Sequence, residues 1–137
     1  MKADELMIGD WLLNGCGNLM QVTAIFEDGI NGVCEGGECC DLYNIIKPIP
    51  LTPEILKKNG FKEAELKEPN TTNLVRKWWS KHGEIYIKEY YLARSREITY
   101  VVGGGHRMRI ENIYMVHQLQ HALRLCGLNE LAGNFKV

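Results

Sequence analysis

No run of apolar residues in this sequence approaches the roughly 20 needed to cross a bilayer as a helix. The N-terminus, Met1-Lys2-Ala3-Asp4-Glu5, lacks the basic-then-apolar order of a secretory signal. These two absences predict a cytoplasmic protein with no membrane association. The five cysteines (Cys16, Cys34, Cys39, Cys40, Cys126) make an odd count, and no Cys-x-x-Cys knuckle occurs among them. Reduced thiols are therefore expected, rather than a disulfide framework or a zinc ribbon. Cys39 and Cys40 are adjacent, and on a strand they would point to opposite faces, which is poor geometry for one metal. Gly103-Gly104-Gly105 is followed by His106-Arg107-Met108-Arg109-Ile110, a strand pattern with no Walker lysine, so it reads as a hairpin turn and not a phosphate cradle.

What is present is an ordinary globular composition, 45% hydrophobic and 24% charged over 137 residues. That length suits one compact domain or two small lobes sharing an interface. Net charge is −1, but it is unevenly spread. Residues 1–52 carry two basic residues against eight acidic ones, a net of −6, while residues 74–110 carry eight basic and three acidic, a net of +5. Such asymmetry gives the two halves either different partners or an attraction for each other.

Asn112 to Leu128 reads as one amphipathic helix. Asn112 is the expected N-cap, Gly127 the left-handed C′ residue, and Leu128 folds back on Leu123. Met115, Val116, Leu119, Ala122, Leu123 and Cys126 fall on one arc that needs a sheet to cover. The opposite arc carries His117, Gln120, His121 and Arg124, and is expected to meet solvent or an interface. His117 and His121 lie four apart, as in zinc-protease helices, but Gln118 stands where the general-base glutamate would be. With no third ligand evident, no metal and no cofactor are expected, and a metal-dependent enzyme on the histidine pair ranks last among the readings.

Residues 1–50 read as an all-β lobe. A Gly9-Asp10 turn entering a strand within Leu6–Leu13, then strands over Leu19–Phe26, Ile30–Cys34 and Cys39–Ile46, punctuated by Asp28-Gly29 and Glu35-Gly36-Gly37-Glu38, predict a small SH3-like barrel. Pro48 and Pro50 are expected to end the ladder. Residues 51–137 form the second lobe. Thr52 as N-cap, Pro53 at the first helical position and Gly60 at C′ predict a short helix. Residues 62–73 read as a loop. Strands over Leu74–Trp79, Glu84–Leu92, Ile98–Val102 and Arg107–Ile110 predict an antiparallel meander packed on the C-terminal helix, an α+β fold overall. If Ile85 and Ile87 face inward, Tyr86, Lys88 and Tyr90 face outward, because side chains alternate.

The chain thus concentrates aromatic and basic residues in the meander: Trp78, Trp79, Tyr86, Lys88, Tyr90, Arg107 and Arg109. Such a face can stack bases and neutralise phosphates, or serve as a protein-binding hot spot. Adjacent tryptophans also alternate, so one of them can simply be core.

The order Glu5-Leu6-x-Ile8-Gly9-Asp10-Trp11, then Lys47-Pro48-Ile49-Pro50-Leu51-Thr52-Pro53-Glu54-Ile55, then Val116-His117-Gln118-Leu119-Gln120-His121 resembles a family of small uncharacterised proteins. These occur in prophages and mobile elements of Bacteroides-like anaerobes. The resemblance implies a bacterial host cell and transfers no catalytic residue. The reading that follows is a non-enzymatic binding protein acting through a host or phage protein partner, with a host-defence component one candidate. Nucleic-acid binding through the basic aromatic sheet is the alternative.

Overall fold

In the computed structural model, which describes residues 1–66, 73–104 and 108–137, the chain is α+β, with two antiparallel sheets and three short helices. The first sheet comprises β1 (Trp11–Leu13), β2 (Leu19–Ile25), β3 (Gly29–Cys34), β4 (Gly37–Leu42) and β5 (Lys47–Pro48), in the order β4-β3-β2-β1-β5. Alternation along these strands sends Leu12, Met20, Val22 and Ile30 to one side, where Leu6 and Ile46 close a small core. β4 and β5 are the two edges, and no closed barrel is found.

Two expectations for this lobe are met and one is corrected. The first strand begins at Trp11, because residues 6–10 turn back to bond β2, with Gly9 N–H donating to Val22 O at 2.8 Å. Pro48 is the last residue of β5, paired with Leu12, and the ladder stops there as expected. An edge strand leaves the proline's missing N–H without consequence. Cys34 and Cys39 are not free thiols: the β3–β4 hairpin sets them diagonally across from each other and they form a disulfide.

The second lobe starts with α1 (Pro53–Lys58). Thr52 Oγ1 accepts the Ile55 N–H at 3.3 Å, and the helix closes with Phe61 N–H on Leu56 O at 3.1 Å. The second sheet follows: β6 (Lys62–Ala64), β7 (Leu74–Trp79), β8 (Ile85–Leu92), β9 (Glu97–Gly104) and β10 (Arg109–Ile113), in the order β10-β9-β8-β7-β6. The start of the expected loop at 62–73 is therefore a strand, since Lys62, Glu63 and Ala64 pair with Trp79, Trp78 and Lys77.

α2 (Val116–Leu125) covers the inner face of that sheet, and α3 (Asn129–Gly133) packs beside it. Asn112 is not its cap. Ile113 is needed in the core as a strand residue, paired with Tyr100, and Asn112 sits at a ladder irregularity with φ +60°. Gln118 caps the helix start instead, its Oε1 accepting the N–H groups of Tyr114 (2.8 Å) and Met115 (3.0 Å). The C-terminus is as expected: Gly127, at φ +80°, lets Leu128 N–H reach Leu123 O at 2.9 Å and its own N–H reach Arg124 O at 3.0 Å. Val116, Leu119, Ala122 and Leu123 meet Trp78, Ile87, Tyr100 and Val102 in the larger core. Glu89 is the one buried acid on that inner face among the described residues: burial pushes its carboxyl above the usual range, opposed by Arg76 at 3.4 Å.

Candidate binding face on the second sheet

Strand register decides which side chains share a face. Lys62, Trp79, Tyr86, Gly103 and Arg109 occupy one cross-strand row, and Trp78, Ile87, Val102 and Ile110 occupy the next. The second row faces α2, so the first faces away from it. Trp78 is accordingly a core residue, 1% exposed, and Trp79 is its outward neighbour, 38% exposed. Lys77, Lys88 and Val101 form the following outward row, and Leu74, Tyr90 and Thr99 the one after. The structure thus brings Trp79, Tyr86, Lys88, Tyr90 and Arg109 onto one outer face and withholds Trp78. Arg107 lies outside the described residues.

The outward face is cationic and arranged around Tyr86. Its ring lies over Gly103, where any Cβ would collide with Cζ and Oη. On its other neighbours, Trp79 meets it edge-on with ring centroids 5.7 Å apart. Lys77 Nζ lies 4.7 Å from the Trp79 centroid and 5.0 Å from that of Tyr86, and Lys88 Nζ lies 5.2 Å from Tyr86. Lys77 and Lys88 are directly opposite in the ladder, a like-charge pairing that destabilises a sheet. Neither makes an ion pair among the described residues. Cation–π attraction holds them in place without neutralising them.

Beside this plate runs a shallow trough along β9. Its floor is Thr99 and Val101, and its walls are Tyr90 on β8 and Arg109 with Glu111 on β10. Arg109 Nε donates to Glu111 Oε1 at 2.7 Å. The hollow measures about 230 Å³ and is bordered by Asn73 and Asn112, both at φ +60°.

The polar face of α2 is elsewhere, turned towards the first lobe. Gln120 is fully buried: its Oε1 accepts the Trp11 N–H at 3.0 Å, and its Nε2 donates to Gly9 O (2.9 Å) and Ala132 O (3.1 Å). Asp10, also fully buried, lies 2.7 Å from His121 Nε2 and accepts from Arg124 Nη1 at 3.2 Å and from the Met7 N–H at 2.8 Å. Arg124 Nη2 also donates to Ile8 O at 3.1 Å. His117 is buried with its Nδ1 unpartnered, and burial holds its pKa below the ordinary imidazole value against the pull of Asp10. Gln120, His121 and Arg124 thus knit the lobes together, and the second sheet lies between them and the outer cationic face. Among the described residues no three His, Cys, Asp or Glu side chains converge as metal ligands.

Sequence reasoning missed the receiving side of this joint. Gly9, Asp10 and Trp11 were legible as a motif, but nothing local says that a carboxylate next to a turn is waiting for a helix 111 residues away. It also missed the trough, whose signal is the run of small outward residues Thr99, Val101 and Gly103 between strands of larger ones. Among the described residues no helix is long and apolar enough to cross a membrane. No family model, curated protein or solved structure matches the chain.

Proposed function

We propose that the protein is a non-enzymatic binding module that docks a protein partner on the outer face of its second sheet. The observation that carries this reading is the Lys77–Lys88 pair, two opposed cations held over aromatic rings with no carboxylate paired to either among the described residues. A fold keeps such a pair at a cost, and an acidic surface arriving from outside removes that cost. Trp79 beside it has the profile of an interface anchor, aromatic and partly exposed.

Base stacking fits this face less well. Tyr86 has one ring face on Gly103 and lysine ammonium groups around the other, so it offers no free platform for a base. The acidic first lobe also opposes a long polyanion. The linear order of five closely spaced strands supports an SH3-like reading of that lobe, acting as a buttress for α2 through Asp10 and Gln120. The resemblance of its motifs to prophage and mobile-element proteins supports a bacterial host setting for this reading, with a host or phage protein, including a defence component, as the proposed partner.

A photo-crosslinking amino acid placed at Tyr90 in producing bacterial cells tests this reading, with Glu130 on α3 as the control position. A discrete protein adduct is expected from Tyr90 alone, resistant to nuclease and lost in the Lys77→Glu/Lys88→Glu variant. A nuclease-sensitive adduct, or equal adducts from both positions, overturns it.

A further inference from the structure

We infer that the partner segment binds in extended form along the β9 trough, presenting acidic side chains that alternate with small apolar ones. The inference rests on the outer-face reading above and adds the conformation and chemistry of what is bound. Its floor, Thr99 and Val101, is 6% and 5% exposed, so the larger side chains on either side stand above it. The walls stand on β8 and β10, two strand spacings apart, or roughly 9.5 Å between backbones. A helix with its side chains is about 10–12 Å across and rides above such a gap. Side chains of one extended strand, every second of which points the same way, enter it.

The charge pattern fixes the rest. Lys88 on β8 stands opposite Val101 in the ladder, and Arg109 stands on β10 with its Nε engaged by Glu111. With Glu111 offsetting Arg109, Lys88 and the Lys77 opposite it leave the β8 side of the trough net positive, which favours carboxylates flanking a small aliphatic residue placed over Val101.

Fluorescence anisotropy at physiological salt with a labelled peptide of alternating glutamate and valine tests this directly. Three comparators are used: the lysine-for-glutamate peptide, a helix-stapled acidic peptide, and labelled oligo(dT). The Glu-Val peptide is expected to bind best, and Val101→Tyr, which fills the trough while leaving every cation, is expected to weaken it roughly tenfold or more. Lys88→Ala, a surface change that leaves the fold intact, is expected to weaken it severalfold. Equal binding of the stapled peptide, or a folded Val101→Tyr protein with unchanged affinity, overturns the trough assignment. If Val101→Tyr has no effect while the Lys77→Glu/Lys88→Glu variant still abolishes binding, the face reading survives and the trough does not. If oligo(dT) binds more tightly than either peptide, both fall.

Discussion

Gln120 Oε1 accepts the backbone N–H of Trp11 at 3.0 Å, across 109 residues of sequence, inside a side chain with no solvent exposure. A single amide thus ties the strand that opens the first sheet to the helix that covers the second. Gln120→Ala strands the Trp11 N–H, removes the donor from Ala132 O, and leaves Gly9 O with Gln21 Nε2 at 3.1 Å in place of two donors. Each unsatisfied buried group costs about 1–3 kcal/mol, so a loss of about 3 kcal/mol is expected in urea unfolding. A loss under about 0.5 kcal/mol, the scale of a surface change, would place Gln120 in solvent instead.

His121→Ala acts on the same joint. A helix face turned to solvent would hardly notice the change, but His121 is one of three partners of the fully buried Asp10. Its removal is expected to cost about 1–2 kcal/mol, less than the about 2–5 kcal/mol for Leu123→Ala in the core. Denaturation midpoints of the two variants side by side check the order.

The pH dependence of stability follows from His117. Burial lowers its folded pKa, so the unfolded chain binds the proton more readily, and stability is lost as pH falls below the ordinary value near 6.5. The charged groups facing it are Asp10 and Glu5, which favour protonation, and His121, which opposes it. His117→Phe is expected to flatten the stability curve between about pH 6.5 and 5. An unchanged slope in that range contradicts the burial of His117.

Gly103 and Tyr86 are coupled through one contact. Gly103→Ala must lift the Tyr86 ring and is expected to cost about 1–3 kcal/mol. In a Tyr86→Ala background the same change is expected to cost far less, giving a coupling energy above about 0.5 kcal/mol. Additive effects contradict the ring's position.

How far the sequence alone reaches is clearest at α2. Its C-terminus was legible because Gly127, Leu128 and Leu123 make a local motif of fixed spacing. Its start was not, because Ile113 is claimed by a non-local pairing with Tyr100 that a helical period cannot register. The apolar arc was legible for the same local reason, whereas the burial of Gln120 and Asp10 depends on two distant segments meeting. Strand parity correctly separated Tyr86, Lys88 and Tyr90 from Ile85 and Ile87. It could not choose between Trp78 and Trp79, since that choice depends on their pairing with Ile87 and Tyr86. The Cys34–Cys39 bond was hidden because an odd cysteine count argues about the whole chain, while the bond depends on one hairpin's register.

The account separates an inner polar seam from an outer docking face, and backbone amide shift mapping tests that separation most directly. With isotope-labelled protein titrated by the acidic Glu-Val peptide, shifts are expected at Lys77, Lys88, Thr99, Val101 and Arg109. The amides of His117, Gln120 and His121 are expected to stay in place. Shifts centred on His117, Gln120 and His121, with the outer face silent, would contradict it.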